Sequence, residues 1–529
     1  MSLPRLLSAT TALCVIGAPV LADFTMTVVH TNDVHSRIEP INRFDSTCSA
    51  EDNGEGKCFG GVARIKTKID ELRASMDNVV VVDAGDPFQG SLFYTTYKGQ
   101  AAVEFMNATG YDVMAVGNHE FDDGPEALGA FLDKAEFPVV SGNIDVSVDG
   151  DLAGRVLPHV LLDVNGETVA IVSVLATDTV ETSSPGPTVV FEDEITHLQG
   201  KVAALEATGV DKIIAVNHVG TPLDLRIAAE VAGIDAVVGG HSHTLFSSSD
   251  PDAAYTYPYW VSGPGDALVP VVQAYAYSKY VGALTLIFDD AGNVVDAYGD
   301  THLLDASVAE DPDILARVQE LGAPLDEIRQ QVVAEAAAPI DGDRSSCRAG
   351  ECQMGNLVAE AMLDRVKSQG VTIAIQNGGG LRASIDAGPI TMGEVMTVLP
   401  FQNTLATFQL TGAGIVDALE NGVSRVEDGA GRFPQVAGLK YTWSAQAEPG
   451  ARITSVEVMA DGAWAPIGMD TVYGVVSNNY MRGGGDGYAT FTEGMNAYDF
   501  GPGLEVVVAD FLAAKGPYSP FTDGRISQE

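Results

Sequence analysis

The segment Val116-Gly117-Asn118-His119-Glu120-Phe121-Asp122 crowds an amide, an imidazole and carboxylates into one turn, just beyond the apolar run Val113 to Val116. In open α/β sheets, ligands gather outside the carboxyl ends of strands, so polar residues there are placed for chemistry. Asn118 offers a neutral oxygen to a metal, and His119 can bind a metal, donate a proton or brace an anion. Asp122 lies close enough to orient that imidazole. Alone, such a turn is more often solvated or structural. Asp122 also has the form of a helix N-cap before Gly124-Pro125-Glu126, although Asp123 is available for that place.

The pattern gains weight by repeating. Phe24 to His30 reads as a strand that delivers Asn32-Asp33-Val34-His35, and residues two apart point the same way in extended backbone. Val79 to Asp83 reads as a strand ending at Gly85-Asp86, whose carboxylate can bridge two cations. Lys212 to Asn217 leads into His218, and Asp235 to Val238 leads into Gly240-His241-Ser242-His243. Such residues follow strand after strand in a chain with only 9 His. Mixed nitrogen and oxygen donors suit Zn, Mn, Co or Fe, with no choice among them.

In kind, order and spacing, these segments resemble the motifs of the calcineurin-like metallophosphoesterases. The resemblance implies a four-layer αββα domain holding two divalent ions. Asp33, His35 and His243 would hold one ion, Asn118, His218 and His241 the other, and Asp86 would bridge them. Some bacterial relatives carry Gln where His243 stands. His119 would stabilise the transition state or protonate the leaving oxygen, with Asp122 fixing its tautomer. Such a metal pair lowers the pKa of a water that attacks phosphorus and neutralises charge on the phosphoryl oxygens.

Composition narrows the partners. Lys+Arg total 29 against Asp+Glu 72, a formal net charge of −43, which repels nucleic acid and anionic membranes. A small anion therefore needs a local positive pocket. Residues 1–22 read as a secretory signal, with Arg5 before a short apolar stretch and Ala22 before the expected cleavage. No later run has the length and apolarity of a membrane span. The expectation is a periplasmic or secreted protein, with its oligomeric state open. Cys14 leaves with the signal. Cys48 with Cys58 and Cys347 with Cys352 are then expected as two local disulfides, because the spacings and separate halves do not suit zinc.

The rest divides into 23–305, a linker helix over 306–338 interrupted at Gly322 and Pro324, and a smaller α/β domain over 339–529. In that last part, a strand from Thr372 to Gln376 meets Gly378-Gly379-Gly380, where backbone can approach a ligand closely, beside Arg382. Phe401 and Tyr480 are candidate faces for a flat base. With Asn377, Asn403 and Asp486 nearby, these segments resemble the C-terminal domain of the 5′-nucleotidases. The resemblance implies that Phe401 and Tyr480 stack the base, Asp486 binds ribose, Arg348 and Arg382 contact phosphate, and Asn377 and Asn403 add polar contacts. Asn356 stands where some bacterial relatives have another Arg, which favours a monophosphate over a diphosphate. The implied activity is metal-dependent hydrolysis of nucleoside 5′-monophosphates. The alternatives are UDP-sugar or dinucleotide hydrolysis, 2′,3′-cyclic phosphodiesterase action, thiosulfate-ester hydrolysis, and a nucleotide-binding or adhesion protein without activity.

Overall fold

The computed structural model describes residues 24–43, 48–399, 401, 403–460, 462–499 and 501–529. The expected 1–22 leader lies outside them. In the strand Phe24–Thr31, Met26 and Val28 enter one core while Val29 enters the opposite one. Val79–Asp83 repeats this, with Val80 and Val82 on one side and Val81 on the other. Both strands are therefore covered on both faces. They lie inside a 7-stranded sheet ordered Val294–Leu303, Tyr280–Phe288, Phe24–Thr31, Val79–Asp83, Val113–Ala115, Val139–Val140, Val156–Leu157.

One face of that sheet carries helices Val62–Ser75 and Gly99–Thr109, through Ile65, Ile69, Leu72, Val103 and Met106. The other face packs on a 6-stranded sheet that includes Ile213–Val216 and Ala236–Val238. Helices Glu194–Glu206 and Thr221–Glu230 close its far side through Leu198, Val202, Leu205 and Ile227. The result is helix, sheet, sheet, helix. Phe24–Thr31, Val79–Asp83 and Val113–Ala115 run parallel, so their carboxyl ends share one edge.

Beyond that edge the backbone departs from the extended form expected for Asp33 and His35. Both are left-handed, at φ 51° and 47°, as are Asp86, His241 and His243. Their convergence comes from tight turns, not strand alternation. Those turns are pinned to one another: Asp33 N donates to Gly85 O, His35 N to Asp86 O and Ser36 N to Pro87 O, each at 2.9 Å. Left-handed non-glycine residues cost about 1–3 kcal/mol each and persist where such contacts overdetermine them. Gly117 is required for a steric reason, since a Cβ there would collide with the Asp86 carboxylate.

The connecting helix spans Pro312–Arg329, started by the Asp311 carboxylate, which accepts from Asp313 N and Ile314 N. It continues through Gly322 and Pro324, where an interruption was expected. Pro324 forfeits the bond to the Glu320 carbonyl, but Ile314, Val318 and Leu325 are packed against Ile38, Phe93 and Phe105. Tertiary packing outweighs the lost bond. The expected 306–338 segment is not helical to its end, because Val332–Ala336 is a strand paired antiparallel with Gly388–Thr391.

The C-terminal half is built on a 5-stranded sheet ordered Pro434–Ala437, Val371–Asn377, Val472–Asn478, Leu405–Thr411, Met495–Tyr498. Helices Gln353–Val366 and Leu504–Lys515 pack into one core with it, and Gly412–Val423 into a second core with Trp443. Cys48–Cys58 and Cys347–Cys352 are disulfide-bonded. Leu325 is fully buried, so Leu325→Ala should lower the unfolding free energy by about 2–4 kcal/mol in urea denaturation.

Candidate active site

The turns beyond the strands bring Asp33, His35, Asp86, Asn118, His218, His241 and His243 together. Asp33 Oδ1 lies 3.3 Å from His243 Nε2, which is 3.0 Å from His35 Nε2. His218 Nε2 lies 3.0 Å from Asp86 Oδ2 and 3.1 Å from Asn118 Oδ1. Asn118 Oδ1 is also 2.9 Å from His241 Nδ1. Asp33–His35–His243 and Asp86–His218–His241 each place one ligand atom per residue within 4.8 Å of the others.

The outer edges of two rings settle what faces inward. His35 Nδ1 donates to Phe88 O at 3.1 Å, and His218 Nδ1 to Ala84 O at 2.7 Å. A neutral ring so tethered turns the lone pair of Nε2 toward the cluster. At His218 that nitrogen meets the oxygens of Asp86 and Asn118, an arrangement that needs positive charge between them. Burial disfavours a charged His218, yet Asp86 outweighs it and pushes the pKa up to about 10, so a proton on Nε2 supplies that charge until a cation displaces it. His35 is held down at about 3 by burial and then by the neighbouring His243, so it remains a neutral donor. His241 is held at about 4, by burial and by His218. Imidazole nitrogens beside carboxylates, with an amide oxygen, form a donor set that fits divalent cations.

Beside the cluster, His119 Nδ1 donates to Asp122 Oδ2 at 2.7 Å. Burial opposes charge on this ring, but Asp122, Asp86 and Glu120 together raise its pKa to about 9. The helix Pro125–Leu132 starts at Gly124 without a side-chain cap, so neither Asp122 nor Asp123 serves as one. Asp123 instead accepts from Tyr94 and Lys98. Glu120 was not singled out for a role from sequence, yet its buried carboxylate accepts from Asp86 N, Phe88 N and Gly117 N at 3.0, 3.2 and 2.7 Å. It ties the Asp86 turn to the Asn118 turn.

The second group of expected residues lines a cleft of about 500 Å³ between the two halves. Arg348, Asn377, Arg382, Phe401, Asn403, Tyr480 and Asp486 come from the C-terminal side, and Arg37, His243, Tyr275 and Tyr277 from the other. Arg382 lies 5.5 Å over the Phe401 ring. Asp486 accepts from Asn377 Nδ2 at 2.7 Å and from the Tyr480 hydroxyl at 3.2 Å. Burial, then Arg344, Arg348 and Arg43, lower the Arg382 pKa, so one wall is cationic within a chain of net charge −43. Asn356 is buried and turned to Glu351 and Phe521 instead. Sequence reading missed Arg37, Tyr275 and Tyr277. Arg37 stands two residues beyond His35, whereas the tyrosines follow no metal-capable motif.

Residues 26–245 match the calcineurin-like phosphoesterase family, and residues 332–493 match the 5′-nucleotidase C-terminal domain. The chain is 38% identical to human 5′-nucleotidase over 540 residues, covering 98% of this chain and 93% of that protein. The chain belongs to the 5′-nucleotidase family. Among solved structures, the 5′-nucleotidase precursor from Thermus thermophilus is 40% identical with a TM-score of 0.67, covering 96% of this chain and 99% of that one. Haemophilus influenzae NAD nucleotidase is 28% identical with a TM-score of 0.71, covering 96% and 100%. As a member of the 5′-nucleotidase family with a metallophosphoesterase domain, the chain is a hydrolase of phosphoric esters, in a family that uses divalent metals.

Glu120→Gln keeps one accepting oxygen but turns an NH2 group toward at least one of the three backbone N–H groups. Metal affinity, measured by elemental analysis after dialysis against graded metal buffers, should fall about 10–100-fold.

Proposed function

We propose that the chain hydrolyses nucleoside 5′-monophosphates to nucleoside and phosphate. One observation carries this reading: His243 belongs both to the donor cluster and to the lining of the interdomain cleft. A ligand held in the cleft thus reaches the cluster without crossing protein. Phe401 and Tyr480 give the cleft aromatic surfaces for a base. Asp486, braced by Asn377 and Tyr480, presents carboxylate oxygens to ribose hydroxyls. Arg348 and Arg382 draw the phosphate in, where guanidinium groups fork onto its oxygens.

Asp33, His35 and His243 would hold one divalent ion and Asn118, His218 and His241 a second, with Asp86 shared. Such ions would acidify the attacking water and take up charge from the phosphoryl oxygens. His119 does the proton work on the leaving side. Asp122 keeps the proton on Nδ1, so the Nε2 proton passes to the ribose oxygen as the P–O bond breaks. The bonding electron pair stays with that oxygen, and water supplies the new oxygen on phosphorus.

The disulfides of the four cysteines beyond the leader support export. No helix among the described residues is long and apolar enough to cross a membrane. Outside the cell membrane, the reaction would release nucleosides and phosphate for uptake. The NAD nucleotidase relative favours dinucleotide cleavage as the second reading, which AMP and NAD assayed side by side would separate.

Phosphate release from AMP by the purified mature protein is the test. His119→Ala should lower kcat about 10²–10⁴-fold. Cleavage of NAD or UDP-glucose with none of AMP would overturn the reading. A second expectation concerns pH. Because His119 must be protonated and its pKa is raised to about 9, activity should fall on an alkaline limb at or below pH 9, with bound cations pulling it lower. Asp122→Asn removes a charge that raises this pKa, so the limb should move to lower pH in a pH profile of kcat.

A further inference from the structure

The Asp122 carboxylate is held by more than its histidine. Oδ2 accepts from His119 Nδ1 at 2.7 Å and from Gln89 Nε2 at 2.9 Å, while Oδ1 accepts from Ser183 Oγ at 2.8 Å. Gln89 comes from the same turn as Asp86. Ser183 comes from elsewhere, closing the short helix Thr179–Thr182, and it is buried. Its neighbour Ser184 is hydrogen-bonded to Tyr498, on the strand Met495–Tyr498 of the C-terminal half.

That strand is not an isolated contact. It is the edge of the sheet whose next strands are Leu405–Thr411 and Val472–Asn478, with Tyr498 opposite Thr407 and Asn478 opposite Leu405. Val472–Asn478 leads directly to Tyr480 and Asp486 in the cleft. One rigid sheet therefore carries both the base-binding side chains and the residue seated on the Ser183–Ser184 segment.

We propose that Ser183 is a positioning residue for phosphoester cleavage, and that Tyr498 seats it, so that Asp122 is fully braced only when the C-terminal sheet rests against this segment. The inference rests on the phosphatase reading above. With hydrogen bonds on both oxygens, the carboxylate cannot rotate, and it keeps the His119 ring aimed. Without the Ser183 hydroxyl, Oδ1 is released and the imidazole loosens. The proton that His119 Nε2 delivers to the leaving oxygen is then the step that suffers. A ribose alkoxide needs that proton, whereas a nitrophenolate leaves without it.

Wild type, Ser183→Ala, Ser183→Thr, Tyr498→Phe and the Ala/Phe double variant would be assayed on AMP and on 4-nitrophenyl phosphate. Melting temperature and bound metal would be measured for each. Ser183→Ala should lower kcat for AMP about 10-fold, with KM changed by less than about 2-fold and 4-nitrophenyl phosphate turnover by less than about 3-fold. Ser183→Thr, which keeps a hydroxyl, should recover most of the loss. Tyr498→Phe should lower kcat for AMP about 3-fold, and the double variant should be no worse than Ser183→Ala, as expected for residues acting through one contact. Equal losses on both substrates, an additive double variant or an unchanged kcat would overturn the proposal. If Ser183→Ala does not fold, the leaving-group ratio for Tyr498→Phe carries the same decision. If wild type does not cleave AMP, the phosphatase reading fails separately, and the ratio is read on whichever alkyl phosphate it does cleave.

Discussion

Positive charge between Asp86, Asn118 and His218 is the requirement on which the rest of the structure depends. With Nδ1 of His218 given to the Ala84 carbonyl, its other nitrogen stands 3.0 and 3.1 Å from two oxygens, so either a proton on it or a cation must supply the charge between them. Water cannot relieve this, because His218 is fully buried and Asp86 and Asn118 nearly so. In such surroundings a cation is worth far more than at the surface. The four layers supply what is needed to hold such mutually unfavourable groups together. Strands buried on both faces end at one edge, left-handed turns aim the donors inward, and the Glu120 carboxylate ties two of those turns by their backbone N–H groups.

The same demand explains the division of labour between the halves. A chain of net charge −43 attracts no anion over long range, so the phosphate must be captured at short range. Arg348 and Arg382 would supply that on the C-terminal side, where burial and neighbouring arginines lower their pKa values. Cations in the donor cluster would supply it on the other. His243 stands where the two meet. His119, whose Nδ1 donates to Asp122, would complete a site in which phosphate meets positive charge from each side.

The strands and their polar ends were legible in the sequence because a strand buried on both faces leaves a nearly uninterrupted apolar run. The polar residues after each run then stand out, and Asp33, His35, Asp86, Asn118, His218, His241 and His243 were found this way. Local geometry was not legible. Asp33 and His35 converge through left-handed turns fixed by contacts with residues 85–87, which no local pattern encodes. Pro324 reads as a break, and only packing around Leu325 keeps the helix whole. Ser183 and Tyr498 carry no motif, and only the fold brings the one beside Asp122 and the other beside Ser184.

Stepwise return of Mn or Zn to the demetallated protein, with phosphate release from AMP followed at each addition, tests the central claim most directly. The account predicts no turnover without metal and a rise that reaches its plateau at two equivalents per chain. Turnover in the metal-free protein, or a plateau at one equivalent, would contradict it.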